Sequence, residues 1–137
     1  VRTQDPSALY EQAVADYEEA LKGDSNRTAT WREMGMCLAN WGAWRNERGG
    51  DYEALYRKAL LSFGECLRRD VKDDEAWLSR GLARANWAAF RSRRGDRAWE
   101  LFEQAMGDFG EALKLNEGRA ETWMRRAHAK KSWECTC

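Results

Sequence analysis

The chain has 137 residues, with 23 Lys and Arg against 23 Asp and Glu, so nothing global draws it to nucleic acid or acidic lipid. With 34% charged and 43% hydrophobic residues it belongs with folded domains, not disordered segments. No apolar run approaches the ~18 residues of a membrane span, and the first residues lack a signal-peptide pattern. A cytoplasmic location is therefore expected. The start at Val1 is what a fragment of a larger protein would show.

Asp5-Pro6 starts the first predicted helix, over about 6–22. Leu9, Tyr10, Ala13, Tyr17 and Leu21 give it one apolar face at spacings of three and four. Gly23-Asp24-Ser25-Asn26 ends it. The second helix is expected over 28–48, with Thr30 and Glu33 as a capping box and Trp31, Met34, Gly35, Leu38, Trp41 and Trp44 as its apolar face. Gly49-Gly50 breaks it, and Asp51 is placed to cap the third, over 52–69. A polar turn at Lys72-Asp73-Asp74 leads to the fourth, 75–94, and Gly95-Asp96 to the fifth, 97–115. Asn116-Glu117-Gly118 precedes the sixth, 120–133. The fold class is all-α, a single domain of six helices joined by short turns, which favour antiparallel neighbours.

These helices repeat. Trp31, Gly35, Ala39, Asn40 and Trp41 return 46 positions later as Trp77, Gly81, Ala85, Asn86 and Trp87, and in part as Trp123, Ala127 and Trp133. Tyr10, Ala13, Tyr17 and Leu21 return as Tyr56, Ala59, Phe63 and Leu67, then as Phe102, Ala105, Phe109 and Leu113. A fixed period without slippage marks one stacked supersecondary unit. Gly35 and Gly81 each follow a Trp by one turn, where a partner helix carrying Ala59 or Ala105 must approach closely.

The residues offer little for catalysis. His128 is the only histidine and has no nucleophile or base at a useful spacing. Cys37 and Cys66 occupy positions held elsewhere by alanine and read as small buried thiols. Cys135 and Cys137 form a C-x-C, and two thiolates alone do not close a metal site. No metal, no cofactor and no enzyme activity are expected. Arginines at the hairpin tips (Arg45, Arg48, Arg91, Arg93, Arg94, Arg97) have acidic neighbours and lie where they complement helix C-termini, which argues against nucleic acid.

The order Trp31, Met34, Gly35, Leu38, Ala59, Phe63, Cys66, Val71, Trp77 resembles the tetratricopeptide repeat (TPR) family. A second repeat matches as Trp77, Gly81, Ala105, Phe109, Ala112 and Trp123. There are two departures. The family's interrepeat Pro is Val71 here and then Glu117, which predicts a less rigid turn. The family repeat is about 34 residues long, and the extra residues here fall at the hairpin tip, so both helices of each hairpin should be longer and the groove wider.

The resemblance implies an array of antiparallel helix hairpins, an α-solenoid, whose first-type helices line a peptide-binding groove. Carried over by position, the groove is Arg32, Met36, Ala39 and Asn40, then Leu78, Leu82, Ala85 and Asn86, then Met124, His128, Lys131 and Ser132. Asn40 and Asn86 are the expected contacts to peptide backbone, over an apolar floor of Met36, Leu78 and Leu82. Some family members clamp a terminal carboxylate. Arg32 and Arg125 would suit such a clamp, but Met36, Ser79 and Glu121 stand at its other positions, so it is not expected. The function implied is a non-catalytic interaction module for a protein or peptide partner. Two alternatives are self-assembly through the open ends or hairpin tips, and a regulatory or scaffolding segment of a larger signalling enzyme such as a bacterial Ser/Thr kinase.

Overall fold

The computed structural model describes residues 5–135, apart from the Cys135 side chain. The C-x-C expectation at Cys135 and Cys137 therefore falls outside what is described. Among the described residues there are six helices and no strand: α1 (Ser7–Gly23), α2 (Thr28–Glu47), α3 (Glu53–Arg69), α4 (Asp74–Arg93), α5 (Trp99–Leu115) and α6 (Ala120–Cys135). The expected bounds lie within two residues of these. None of these helices is long and apolar enough to cross a membrane.

The turns at the two tips are built alike. Gly49 and Gly95 take φ of 73° and 78°, a region only glycine enters without strain. The Arg45 carbonyl accepts from the N–H groups of Arg48 and Gly50, and the Arg91 carbonyl from those of Arg94 and Asp96. The capping box does not form. α2 begins two residues before Thr30, with Arg27 in extended backbone as its N-cap, and Thr30 is buried inside the helix. The side-chain cap appears one repeat later, where Asp73 accepts from the Ala76 N–H.

Each helix packs on the next in the chain, and α4 also touches α2 and α6. The most extensive contacts are α2 with α3 and α4 with α5. The glycines explain why. A Cβ on Gly35 would sit 2.7 Å from the Phe63 ring, and one on Gly42 would sit 3.0 Å from Tyr56. As α2 advances from Gly35 to Gly42, its contact moves back along α3 from Phe63 to Tyr56. Gly81 repeats the arrangement against Phe109, at 2.9 Å.

Aromatic stacks join α1 to α2, α3 to α4 and α5 to α6 with the same period. Tyr10 stacks on Trp41, Tyr56 on Trp87 and Phe102 on Trp133, each with ring centroids 5.9 Å apart. Such pairs add about 0.5–1.5 kcal/mol beyond the area they bury. Glu53 accepts from Trp87 Nε1 at 2.9 Å and pairs with Arg91. Burial opposes its charge, but these hydrogen bonds outweigh it and hold its pKa below the usual value.

Three other tryptophans close the interrepeat turns. Trp31, Trp77 and Trp123 donate their indole N–H to the carbonyls of Ser25, Val71 and Glu117, at 2.8, 2.7 and 2.8 Å. Each indole thus ties down a turn that holds no proline ring to stiffen it. An arginine covers each of these rings: Arg69 on Trp31, Arg80 on Trp77 and Arg126 on Trp123, at 4.8–4.9 Å. Trp77→Phe keeps the ring and loses the tether. It is expected to cost about 0.5–1.5 kcal/mol in urea unfolding and to speed amide exchange in the 70–73 turn.

Candidate functional site

α2, α4 and α6 lie side by side, with α1 flanking α2. Their common face carries two rows at repeat-equivalent positions: Met36, Leu82 and His128, and beside them Asn40, Asn86 and Ser132. Between α1 and α2 these rows border a hollow of about 270 Å³ that includes Tyr10, Tyr17, Met36 and Asn40. Between α2 and α4 lies a cavity of about 90 Å³ lined by Met36, Asn40, Tyr56, Ser79, Leu82 and Asn86. Between α4 and α6 lies a cleft of about 330 Å³ reached by Leu82, Asn86, Arg93, Arg125, His128 and Ser132. Met36 and Asn40 belong to the first two depressions, Leu82 and Asn86 to the last two. The three depressions therefore form one groove crossing the helices. Alanines at 39, 43, 85 and 89 keep its floor low.

Asn40 and Asn86 are exposed, and neither amide bonds another side chain or the backbone among the described residues. Their donors and acceptors face the groove with nothing in the hairpins using them. Tyr56 adds a second polar feature. It is 1% exposed, lines the α2–α4 cavity, and its hydroxyl has no partner among the described residues. Burial raises its pKa, so it stays a neutral donor. Phe102 makes the equivalent stack without a hydroxyl, so stacking does not require one.

Four expected groove residues lie elsewhere, of which Lys131 is exposed and lines none of the three depressions. Leu78 is only 6% exposed and packs with Ala85, Ala105, Phe109, Ala112 and Ala129. It is core, which corrects its assignment to an outward apolar floor. Arg32 points to the start of α4, pairing with Asp73 and lying 3.5 Å from Glu75. It lines none of the three depressions. Met124 is 60% exposed and lines none of them either. One repeat position thus has three fates. At 32 and 78 a following repeat covers the side chain, and at 124 no described helix does so.

Arg32 joins a chain of charges at the α4 N-terminus. Arg119 pairs with Asp74 at 2.9 Å and with Glu75 at 3.5 Å, so the start of α4 is tied both to α2 and to the α5–α6 turn. Acidic groups there also complement the helix dipole. Tyr56 and Arg93 line the depressions without any sequence expectation that they would, and Arg125, named only for a clamp that was not expected, lines the α4–α6 cleft. Tyr56 sits on a second-type helix, and only the approach of α4 turns its edge into a wall. The tip arginines are mostly occupied by rings: Arg48 on Trp44, Arg94 on Tyr52 and Arg97 on Trp99.

Neither Cys37 nor Cys66 is disposed to form a thiolate. Burial pushes the Cys66 thiol up to about 12, assisted by Asp73, and burial also raises Cys37. Among the described residues no group of His, Cys, Asp and Glu is arranged to hold a metal ion. No protein-family model matches the chain, and no curated protein is significantly similar to it. The likeness to TPR repeats rests on the residues and spacings given above.

Proposed function

We propose that the chain is a non-catalytic protein-interaction module, a TPR-like α-solenoid of antiparallel hairpins holding a peptide or partner segment across α2, α4 and α6. The reversed pairing of Gly35 with Phe63 and Gly42 with Tyr56 supports the hairpin reading. The observation that carries the functional reading is the pair Asn40 and Asn86. Both occupy one repeat position, both stand exposed on the ridges between depressions, and neither amide is used within the fold. An amide so placed can donate to and accept from a peptide backbone whatever its sequence. Met36 and Leu82 supply apolar contact beside it, and the Tyr56 hydroxyl offers a donor to a group entering the α2–α4 cavity.

A displayed peptide library selected on the wild-type protein supplies the ligand for the test. Asn40→Ala/Asn86→Ala removes two hydrogen-bonding amides worth about 0.5–1.5 kcal/mol each, so the selected peptide should bind about 5- to 150-fold more weakly by calorimetry. Binding undiminished in the double variant would move the site off this groove.

A further inference from the structure

Inside the protein, the α4–α5 contact carries a specific ion cluster. Asp108 on α5 accepts from Arg80, through both its Nε and Nη2, and from Arg84 on α4, at 2.8–3.2 Å. The repeat places the same charges on two faces that are not in contact. One repeat onward from Arg80 and Arg84 are Arg126 and Lys130, on α6. Two repeats back from Asp108 is Asp16, on α1. No ion pair engages Asp16, Arg126 or Lys130 among the described residues, and Asp16 and Lys130 are exposed. Arg126 lies 4.8 Å over Trp123, as Arg80 lies 4.9 Å over Trp77. It is thus already posed as its counterpart is.

The surrounding residues match too. Gly81 meets Phe109 across the α4–α5 contact, and the corresponding residues are Ala127 on α6 and Tyr17 on α1. Ala105 and Ala112 correspond to Ala13 and Ala20. The α1 face therefore carries an acid and Tyr17 among alanines, where the α6 face carries two bases beside Ala127. Ala127 has a methyl where Gly81 has none, so the two helices would sit slightly farther apart.

We propose that two copies of this chain join head to tail, α6 of one receiving α1 of the next in the register of the α4–α5 contact, with Asp16 seated between Arg126 and Lys130. Such an interface is heterologous, so each copy keeps one face free and association continues beyond a dimer unless the geometry closes a ring. Of the residues lining the depressions the pairing uses Tyr17 and leaves Asn40 and Asn86 free, and the groove would continue from one copy to the next.

Sedimentation equilibrium of the wild-type protein tests this. The weight-average mass should rise above that of the monomer with concentration at low ionic strength, and fall back as salt screens the exposed charges. Asp16→Lys alone and Arg126→Glu/Lys130→Glu alone should each remain monomeric, since each places like charges together. Mixing the two variants restores opposite charges at both kinds of junction, and the mass should rise again. That rescue also shows both variants to be folded. A wild-type protein monomeric at every concentration, variants that associate as the wild type does, or a mixture that stays monomeric would each overturn the proposal.

Discussion

Asp108→Ala should lower the stability of the protein by about 3–5 kcal/mol, read as a shift of the urea midpoint at unchanged slope. Asp108 is 3% exposed and is the counter-charge of both Arg80 and Arg84. Burial pushes the Arg84 guanidinium below its ordinary pKa while Asp108 opposes that shift, so removing the carboxylate leaves desolvated charge without compensation. The two arginines keep about a fifth of their side-chain surface in water, 19% and 18%, which puts the expected loss toward the lower end of the range. The companion variant separates ion pairing from packing. The α2–α3 pair holds Met34, Leu38 and Ser62 at these three positions and packs around the same Gly–Phe contact. Arg80→Met/Arg84→Leu/Asp108→Ser transplants that set. It should be about as stable as the wild type or up to about 4 kcal/mol more so, because replacing a whole buried ion cluster by fitted apolar groups relieves desolvation. A triple variant as unstable as Asp108→Ala would show that the cluster contributes something the residues of the α2–α3 contact cannot supply.

Phe63→Ala is expected to cost about 3–5 kcal/mol, the transfer energy of the ring plus the cavity it leaves. Phe63 is buried and its ring lies where a Cβ on Gly35 would be, 2.7 Å from Cε1. The converse change, Gly35→Leu, drives a side chain into that ring and should cost about 1–3 kcal/mol or more. The two changes share one volume. In the double variant the leucine fills the space the phenylalanine vacates, so the combined loss should fall short of the sum by about 1–3 kcal/mol. Additive losses would mean that α2 and α3 separate rather than repack, and that close approach at Gly35 does not govern this contact.

The local features were legible in the sequence because they depend on neighbours in the chain. Six helices follow from apolar residues at spacings of three and four, and their ends follow from Gly49, Gly95 and the polar turns. The close approach at Gly35 and Gly81 was legible too, since a glycine inside a helix one turn after a tryptophan has few other uses. Of the proposed groove, Met36, Asn40, Leu82, Asn86 and His128 line the depressions that cross α2, α4 and α6.

What only the tertiary structure decided is which outward residue another helix covers. Arg32, Leu78 and Met124 share one repeat position, and periodicity treats them alike. Contacts from the following repeat make the first an ion-pair partner and the second core, while the third is left exposed. Helical spacing gives no sign that Arg80, Arg84 and Asp108 are partners, and it is the packing of α4 on α5 that brings them within 2.8–3.2 Å. The tether from each of Trp31, Trp77 and Trp123 to a carbonyl six residues back replaces a stiffening that residue types at the turn did not indicate. Periodicity fixes which face of a helix is apolar, because that depends on spacing along one chain segment. Burial and charge pairing depend on what the fold lays against that face, and that distance is set by residues tens of positions away.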